Sequence, residues 1–245
     1  MKLSAIVLTK NEEKNLPACL KSLGFADEII VIDNNSTDKT LSIARNYTDK
    51  IYPFKGLDFS GMRNLGREKA KHSWLFYLDA DELVSTKLAQ EIVKTLLNPL
   101  FSAYRLDRHN YFFGQKWPTT EKMIRLMKKD MLVGWFGPLH ETPRMRGSVG
   151  QLTNPLYHYT HQNITAMVVK TNLWSEIEAD LRLKSHHPPI IWWRFFRVML
   201  TAFYDSYIKQ AGYKLGTVGL IESIYQAFSI FITYAKLWEK QNRKS

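Results

Sequence analysis

The sequence predicts an α/β fold: a mixed, mainly parallel sheet flanked by helices, followed by a C-terminal helical extension. Three observations carry that expectation. Short apolar runs alternate with helical patterns over the first hundred residues, an irregular aromatic-rich stretch follows from Ala103 to Tyr159, and two long helical patterns close the chain. Strand runs interleaved with helices imply βαβ units and parallel pairing. With 245 residues, 45% of them hydrophobic, there is material for one large domain, or one domain with an appendage.

Leu3–Leu8 (LSAIVL) reads as the first strand, and Asn11 with Glu12-Glu13 opens a helical pattern through Leu16, Leu20 and Leu23. Glu28–Ile32 (EIIVI) is the second strand, ending in Asp33-Asn34-Asn35-Ser36-Thr37-Asp38. Thr37 or Asp38 is expected to cap the next helix, with Leu41 and Ala44 on its inner face. Ile51–Phe54 predicts a weak third strand, Phe59–Ala70 a helix, Trp74–Leu78 a fourth strand and Leu83–Leu97 a helix. Between 103 and 159, Gly and Pro punctuation predicts extra strands and loops over one edge of the sheet. A helical pattern resumes after His161 and breaks at His186-His187-Pro188-Pro189, the best domain boundary in the chain. Ile190–Gln210 and Thr217–Gln241 then read as two helices.

Charge is unevenly spread. The chain carries +11 in total, and residues 181–245 hold ten Lys/Arg against three Asp/Glu. A basic, aromatic-rich tail suits an anionic partner: nucleic acid, a membrane surface or an acidic substrate. Plain solubility is the bland alternative. Neither helix offers the roughly 18 uninterrupted apolar residues of a membrane span. Helices lying on a membrane, or a pair packed on the main domain or in a dimer, are the two expectations. The one cysteine, Cys19, cannot form an internal disulfide. The N-terminus (MKLSAIVLTKNEE) lacks the features of a signal peptide and reads as a strand, so a cytosolic setting is expected.

No G-x-G-x-x-G follows the first strand and no G-x-x-x-x-G-K-[ST] occurs anywhere, which argues against dinucleotide oxidoreductases and P-loop phosphotransferases. Instead, Asp79, Asp81 and Glu82 gather in YLDADEL at the mouth of the fourth strand. Such acids cap a helix or hold a divalent cation; capping needs only one. Hard cations prefer carboxylate oxygen. A haloacid-dehalogenase signature also begins D-x-D, but it wants Thr or Val where Leu83 stands, and it lies on the first strand. A nucleic-acid module would put these acids in a groove that ought to be basic, so no nucleic-acid partner is expected.

Four segments, IVLTKNEEKNL (6–16), IIVIDNNSTDKT (29–40), GMRNLGREKA (61–70) and YLDADE (77–82), resemble family-2 glycosyltransferases with the GT-A fold in both order and spacing. RLMKKD…GWFGPLHE (125–141) and YAKLWE (234–239) are similar to the lipopolysaccharide-core subgroup that adds β-glucose to heptose. The resemblance implies an inverting hexosyltransferase that uses a UDP-sugar, UDP-glucose first, with Mg²⁺ or Mn²⁺. The implied acceptor is an anionic glycolipid of the lipopolysaccharide inner core, at the inner face of the cell membrane. A capsule, exopolysaccharide or protein acceptor keeps the same chemistry, and an inactive scaffold with this fold is the remaining alternative.

By the same resemblance Asp81 reaches the metal and Asp79 lies nearer the ribose, with Glu82 capping or bracing the loop. Asp33 can accept from uracil N3–H or a ribose hydroxyl, and Thr9 and Glu12 flank that crevice at the carboxyl ends of parallel strands. Arg63 and Asn64 fall near the donor. Arg125 either holds phosphate charge or lies on a charged strand edge, and His158 either reaches the diphosphate or fills a satisfied core position. Inversion needs a base for the acceptor hydroxyl; Glu141 is the candidate, with His140 beside it to orient the acceptor or contact the diphosphate. Residues 104–122, rich in Arg and aromatic side chains, suit a phosphorylated oligosaccharide or plain packing. The expected domains are 1–185, with a nucleotide half (1–100) and an acceptor half (101–185), and 186–245, bound to a membrane or to a second subunit in a homo-oligomer.

Overall fold

A computed structural model describes residues 2–56, 58–137, 139 and 141–243. The chain forms two compact units, Met1–His109 with Thr120–Tyr159, and Asn110–Thr119 with Thr160–Ser245.

In the first unit, β1 (Leu3–Thr9) pairs in parallel with β2 (Glu28–Asp33) and with β4 (Trp74–Asp79), and β2 pairs with β3 (Ile51–Pro53). Every residue of β1 is buried because both faces of the sheet are covered. Its side chains alternate accordingly. Leu3, Ala5 and Val7 pack with Leu16 and Leu20 of α1 (Leu16–Lys21), Ala44 of α2 (Thr40–Ala44), and Leu88 and Ile92 of α4 (Thr86–Leu97). Ile6 and Leu8 pack with Met62 of α3 (Phe59–Lys69) on the other face. Gly66 of α3 lies so close to β1 that an added Cβ would stand 2.4 Å from Ile6 Cγ2. Gly66→Ala is therefore expected to cost about 1–3 kcal/mol through overpacking. Urea denaturation checks this; an unchanged midpoint would mean that the helix shifts without penalty.

The sheet continues beyond β4 through β7 (Gln115–Lys128), β6 (Ala103–Phe112), β11 (Leu156–Thr160) and β5 (Glu82–Val84), and β10 (Val149–Gln151) joins β6. β8 (Leu132–Phe136) and β9 (Thr142–Met145) form a separate antiparallel pair. The stretch expected to cover one edge instead enters the sheet beside β4, where Trp74 pairs with Lys128 and Phe76 with Leu126. Leu126 and Met127 are buried there, which explains the placement.

Local boundaries also moved. The helix expected from Leu83 begins at Thr86, because Ser85 accepts the Leu88 N–H at 3.1 Å as N-cap and residues 82–84 pair as a strand. The acidic trio therefore does not cap it. α1 starts at Leu16, since the preceding loop is committed to the loop after β2. α2 has Lys39, not Thr37 or Asp38, at its N-cap position; Asp38 instead accepts from the N–H groups of Thr40 and Glu13. Thr40 and Ala44 form its buried face, with Leu41 only half-buried.

The second unit is helical: α5 (Ile164–Lys184), α6 (Trp192–Tyr204) with a π-type turn (Asp205–Lys209), a 3₁₀ turn (Gly212–Leu215) and α7 (Gly216–Asn242). Both α5 and α6 pack on α7 around Ala179, Ile190, Tyr234 and Leu237. Lys240 pairs with Glu176 and Asp180, and Thr171 bonds to the Tyr225 hydroxyl, so α5 groups with the later helices. The helical stretch Gly212–Asn242 is long and apolar enough to cross a membrane, although Ser, Thr and Tyr interrupt its run of apolar residues as the sequence predicts. Core helices of soluble proteins pass the same test.

Candidate active site

Strand register lines up the first group of residues. Thr9 at the end of β1 pairs with Asp33 at the end of β2, and Leu8 pairs with Asp79 at the end of β4. Open α/β sheets bind ligands at these carboxyl ends. Thr9 and Asp33 are buried, yet Thr9 Oγ1 and Asp33 Oδ1 have no hydrogen-bond partner. The other Asp33 oxygen accepts the Ser36 N–H at 3.0 Å. Unpaired buried polar atoms are costly, and two side by side at a strand end suit a polar ligand.

The loops around this point are laced together. Asn11, with φ of 54°, donates its N–H to Ser36 Oγ and accepts the Thr37 N–H at 2.8 Å. Glu12 donates its N–H to Thr40 Oγ1, and its carboxylate accepts from Asn15 Nδ2 at 2.8 Å. Glu12 thus holds its own loop to the one after β2. This lacing was not legible in the sequence beyond the run of Asn, Ser, Thr and Asp.

Asp79 is the centre of a second group. Its Oδ1 accepts from Arg63 Nη2 and its Oδ2 from Arg125 Nη2, both at 2.9 Å. Burial alone would raise the Asp79 carboxyl, but the charges of Arg63, Arg125 and Arg108 outweigh it and hold the group well below the usual carboxylate range. Glu82 is fully buried and braces the turn: Oε2 accepts the Asp79 N–H at 2.9 Å, and Oε1 accepts from Arg125 at 2.8 Å and Arg108 at 3.0 Å. Burial lowers the Arg125 pKa less than Glu82 and Asp79 raise it. Arg125 is thus spent beneath Asp79, where it fixes that carboxylate. Arg108 falls in the stretch read as sugar-binding or packing, and it serves this brace.

Arg63 joins the two halves of the site. Its Nε donates to Glu141 Oε1 at 2.7 Å, and its guanidinium lies 4.8 Å from the Trp135 ring centroid. The buried Nη1 has no partner. Glu141 follows the β8 turn just before Thr142, which pairs with Phe136. Asn64, expected near the donor, gives both ends of its amide to the Trp135 backbone, at 3.0 and 2.9 Å, and so pins β8 to α3. Trp135 carried no signal in the sequence beyond its place in GWFGPLHE. His140 lies outside the described residues.

Asp81 and His158 form the third group, with Nε2 and Oδ2 3.1 Å apart. His158 is brought there by β11, which pairs with β5 so that His158 faces Glu82. Among the described residues no three His, Cys, Asp or Glu side chains gather as a ready metal cage. Asp81 with His158, next to Asp79, nevertheless offers hard oxygen and imidazole donors. That set fits Mg²⁺ or Mn²⁺ completed by phosphate oxygens, since such ions take few protein ligands beside substrate phosphates.

A mixed, largely parallel sheet flanked by helices, with carboxylates at its strand ends, is the arrangement of the GT-A fold of glycosyltransferases, which this chain shares. Residues 4–149 match Glycosyl transferase family 2, and the chain belongs to that family. The lipopolysaccharide core biosynthesis glycosyltransferase LpsC of Rhizobium meliloti is 27% identical, over 99% of this chain and 94% of its own length. An uncharacterised glycosyltransferase of Rickettsia bellii is 25% identical, over 97% of this chain and 86% of its own. The crystal structure of S. aureus TarS 1–349 in complex with UDP-GlcNAc shares the fold, with a TM-score of 0.51 at 13% identity, over 99% of this chain and 92% of that one.

Proposed function

We propose that this protein is a metal-dependent, inverting hexosyltransferase that moves a sugar, glucose foremost, from a UDP-sugar to an anionic inner-core acceptor of lipopolysaccharide at the inner face of the cell membrane. The observation that carries the reading is the pair of unpaired buried atoms, Thr9 Oγ1 and Asp33 Oδ1, set in register beside the Asp79 strand end. Asp33 Oδ1 accepts from uracil N3–H, and Thr9 lines the same recess. The R. meliloti relative's name supports the acceptor class, and the TarS complex supports the donor class.

Asp81 and His158, with Asp79 beside them, would hold the cation. A bound divalent ion supplies charge neutralisation for the departing diphosphate. Arg63 and Arg125 fix Asp79 and so keep the strand end rigid. Glu141, oriented by Arg63, takes the acceptor proton while the acceptor oxygen attacks the anomeric carbon and the bond to the diphosphate breaks. Attack opposite the leaving group turns an α-linked donor into a β-linkage.

Calorimetric titration with UDP tests the donor site. Binding is expected with Mn²⁺ or Mg²⁺, and EDTA is expected to weaken it at least tenfold. Equal affinity with and without metal would remove the cation from the site, and no binding at all would remove the donor assignment.

A further inference from the structure

Helix α6 is apolar on both sides. Phe195 and Val198 face the α7 core, and the Phe195 ring stands 5.7 Å from Phe231. The opposite side should be polar if it met only water. It instead presents Trp192 (75% exposed), Phe196 (63%), Leu200 (69%) and Tyr204 (51%) at successive four-residue steps, with Trp193 (42%) beside them. A contiguous exposed apolar strip of this kind marks an interaction surface. Its charge is one-sided as well. From Leu181 to Tyr204 the chain has Arg182, Lys184, Arg194 and Arg197 and no acidic residue; Arg182 is paired with Glu178 and the neighbouring Asp205 with Lys209, which leaves Arg194 and Arg197 as the cations of α6 itself. The Arg197 guanidinium lies 5.7 Å from the Trp193 ring centroid, at the edge of the strip.

We infer that the Trp192–Tyr204 face of α6 docks in the plane of an anionic lipid bilayer. Thirteen residues make a helix of about 20 Å, short of about 30 Å of hydrocarbon, and the π-type turn that continues it brings in Asp205 and Lys209, so the helix lies in the interface. Tryptophan and tyrosine suit that depth, where one end of the ring is apolar and the other wet. Cations without acids complement anionic headgroups. A second copy of the same face would bring like charges together across a two-fold axis, which disfavours it as the occupant. The inference rests on the membrane location proposed above and is independent of the donor chemistry.

The test is flotation of the full-length protein with vesicles of phosphatidylcholine, alone or with about a third phosphatidylglycerol. Binding to the anionic vesicles is expected, with a blue shift of tryptophan emission and weakening by high salt. A Phe196→Ser/Leu200→Ser variant and an Arg194→Gln/Arg197→Gln variant should each bind at least tenfold more weakly, with unchanged melting temperature. Undiminished binding by both variants overturns the inference, as does absence of binding by the unaltered protein. A dimer that Phe196→Ser/Leu200→Ser converts to monomer overturns it too, by giving the face to a second copy. UDP titration of the same samples separates these outcomes from a failure of the donor assignment.

Discussion

Glu141→Gln lowers kcat by about 10²–10⁴-fold and leaves UDP affinity within about twofold, the range expected when a general base is lost. The substitution is nearly isosteric, and the amide oxygen still accepts from Arg63 Nε, which reaches Glu141 at 2.7 Å. What disappears is the capacity to take a proton from the acceptor hydroxyl. Because Glu141 does not contact Thr9 or Asp33 by any hydrogen bond, the nucleotide end is unaffected. Steady-state kinetics with calorimetry on the same preparation separates the two effects. Near-normal turnover would move the base to another residue.

Asp81→Asn is expected to abolish the metal dependence of UDP binding and to lower transfer by about 10²–10³-fold, the scale for removing one group that stabilises developing charge. The asparagine can keep a hydrogen bond with His158, now 3.1 Å from Asp81 Oδ2, so the fold should persist. Asp79 is a poor choice for the same test, since its two oxygens are tied to Arg63 and Arg125 and its loss strands both. Mn²⁺-dependent UDP affinity equal to that of the unaltered protein would exclude Asp81 as a ligand. Calorimetry with Mn²⁺ and with EDTA reads the difference directly.

Much of the first hundred residues was legible in the sequence, because parallel strands buried on both faces leave continuous apolar runs such as Ala5–Leu8 and Ile29–Ile32. Polar residues that close such runs fall at strand ends, so the strand-end placement of Thr9, Asp33 and Asp79 could be named before their register was known. The stretch from Ala103 to Lys128 was not legible as two long strands. Its second strand has residues 118–122 exposed in a row and Arg125, Leu126 and Met127 buried in a row, so the period of two that marks a strand is lost, and its neighbour β4 is distant in sequence. Roles of charged residues were harder still. Arg125 and Arg108 look like phosphate binders until the structure shows Glu82, 43 and 26 residues away, taking both. Asn64 looks like a ligand residue until Trp135, 71 residues on, takes its amide. Pairings at such separations follow from tertiary structure and leave no periodic trace.

One consequence of Arg63 reaches beyond any single substitution. The same buried cation answers Asp79 on the strand end and Glu141 after β8, 62 positions apart in the chain. Exchange of either acid for a neutral residue leaves the guanidinium with one counter-charge in place of two, and exchange of the arginine takes the ion-pair partner from Glu141 and leaves Asp79 to Arg125. Neutral drift at these three positions is therefore closed one step at a time. A lineage could alter the chemistry of this cleft only by changing all three together, or by first burying a new anion against Arg63.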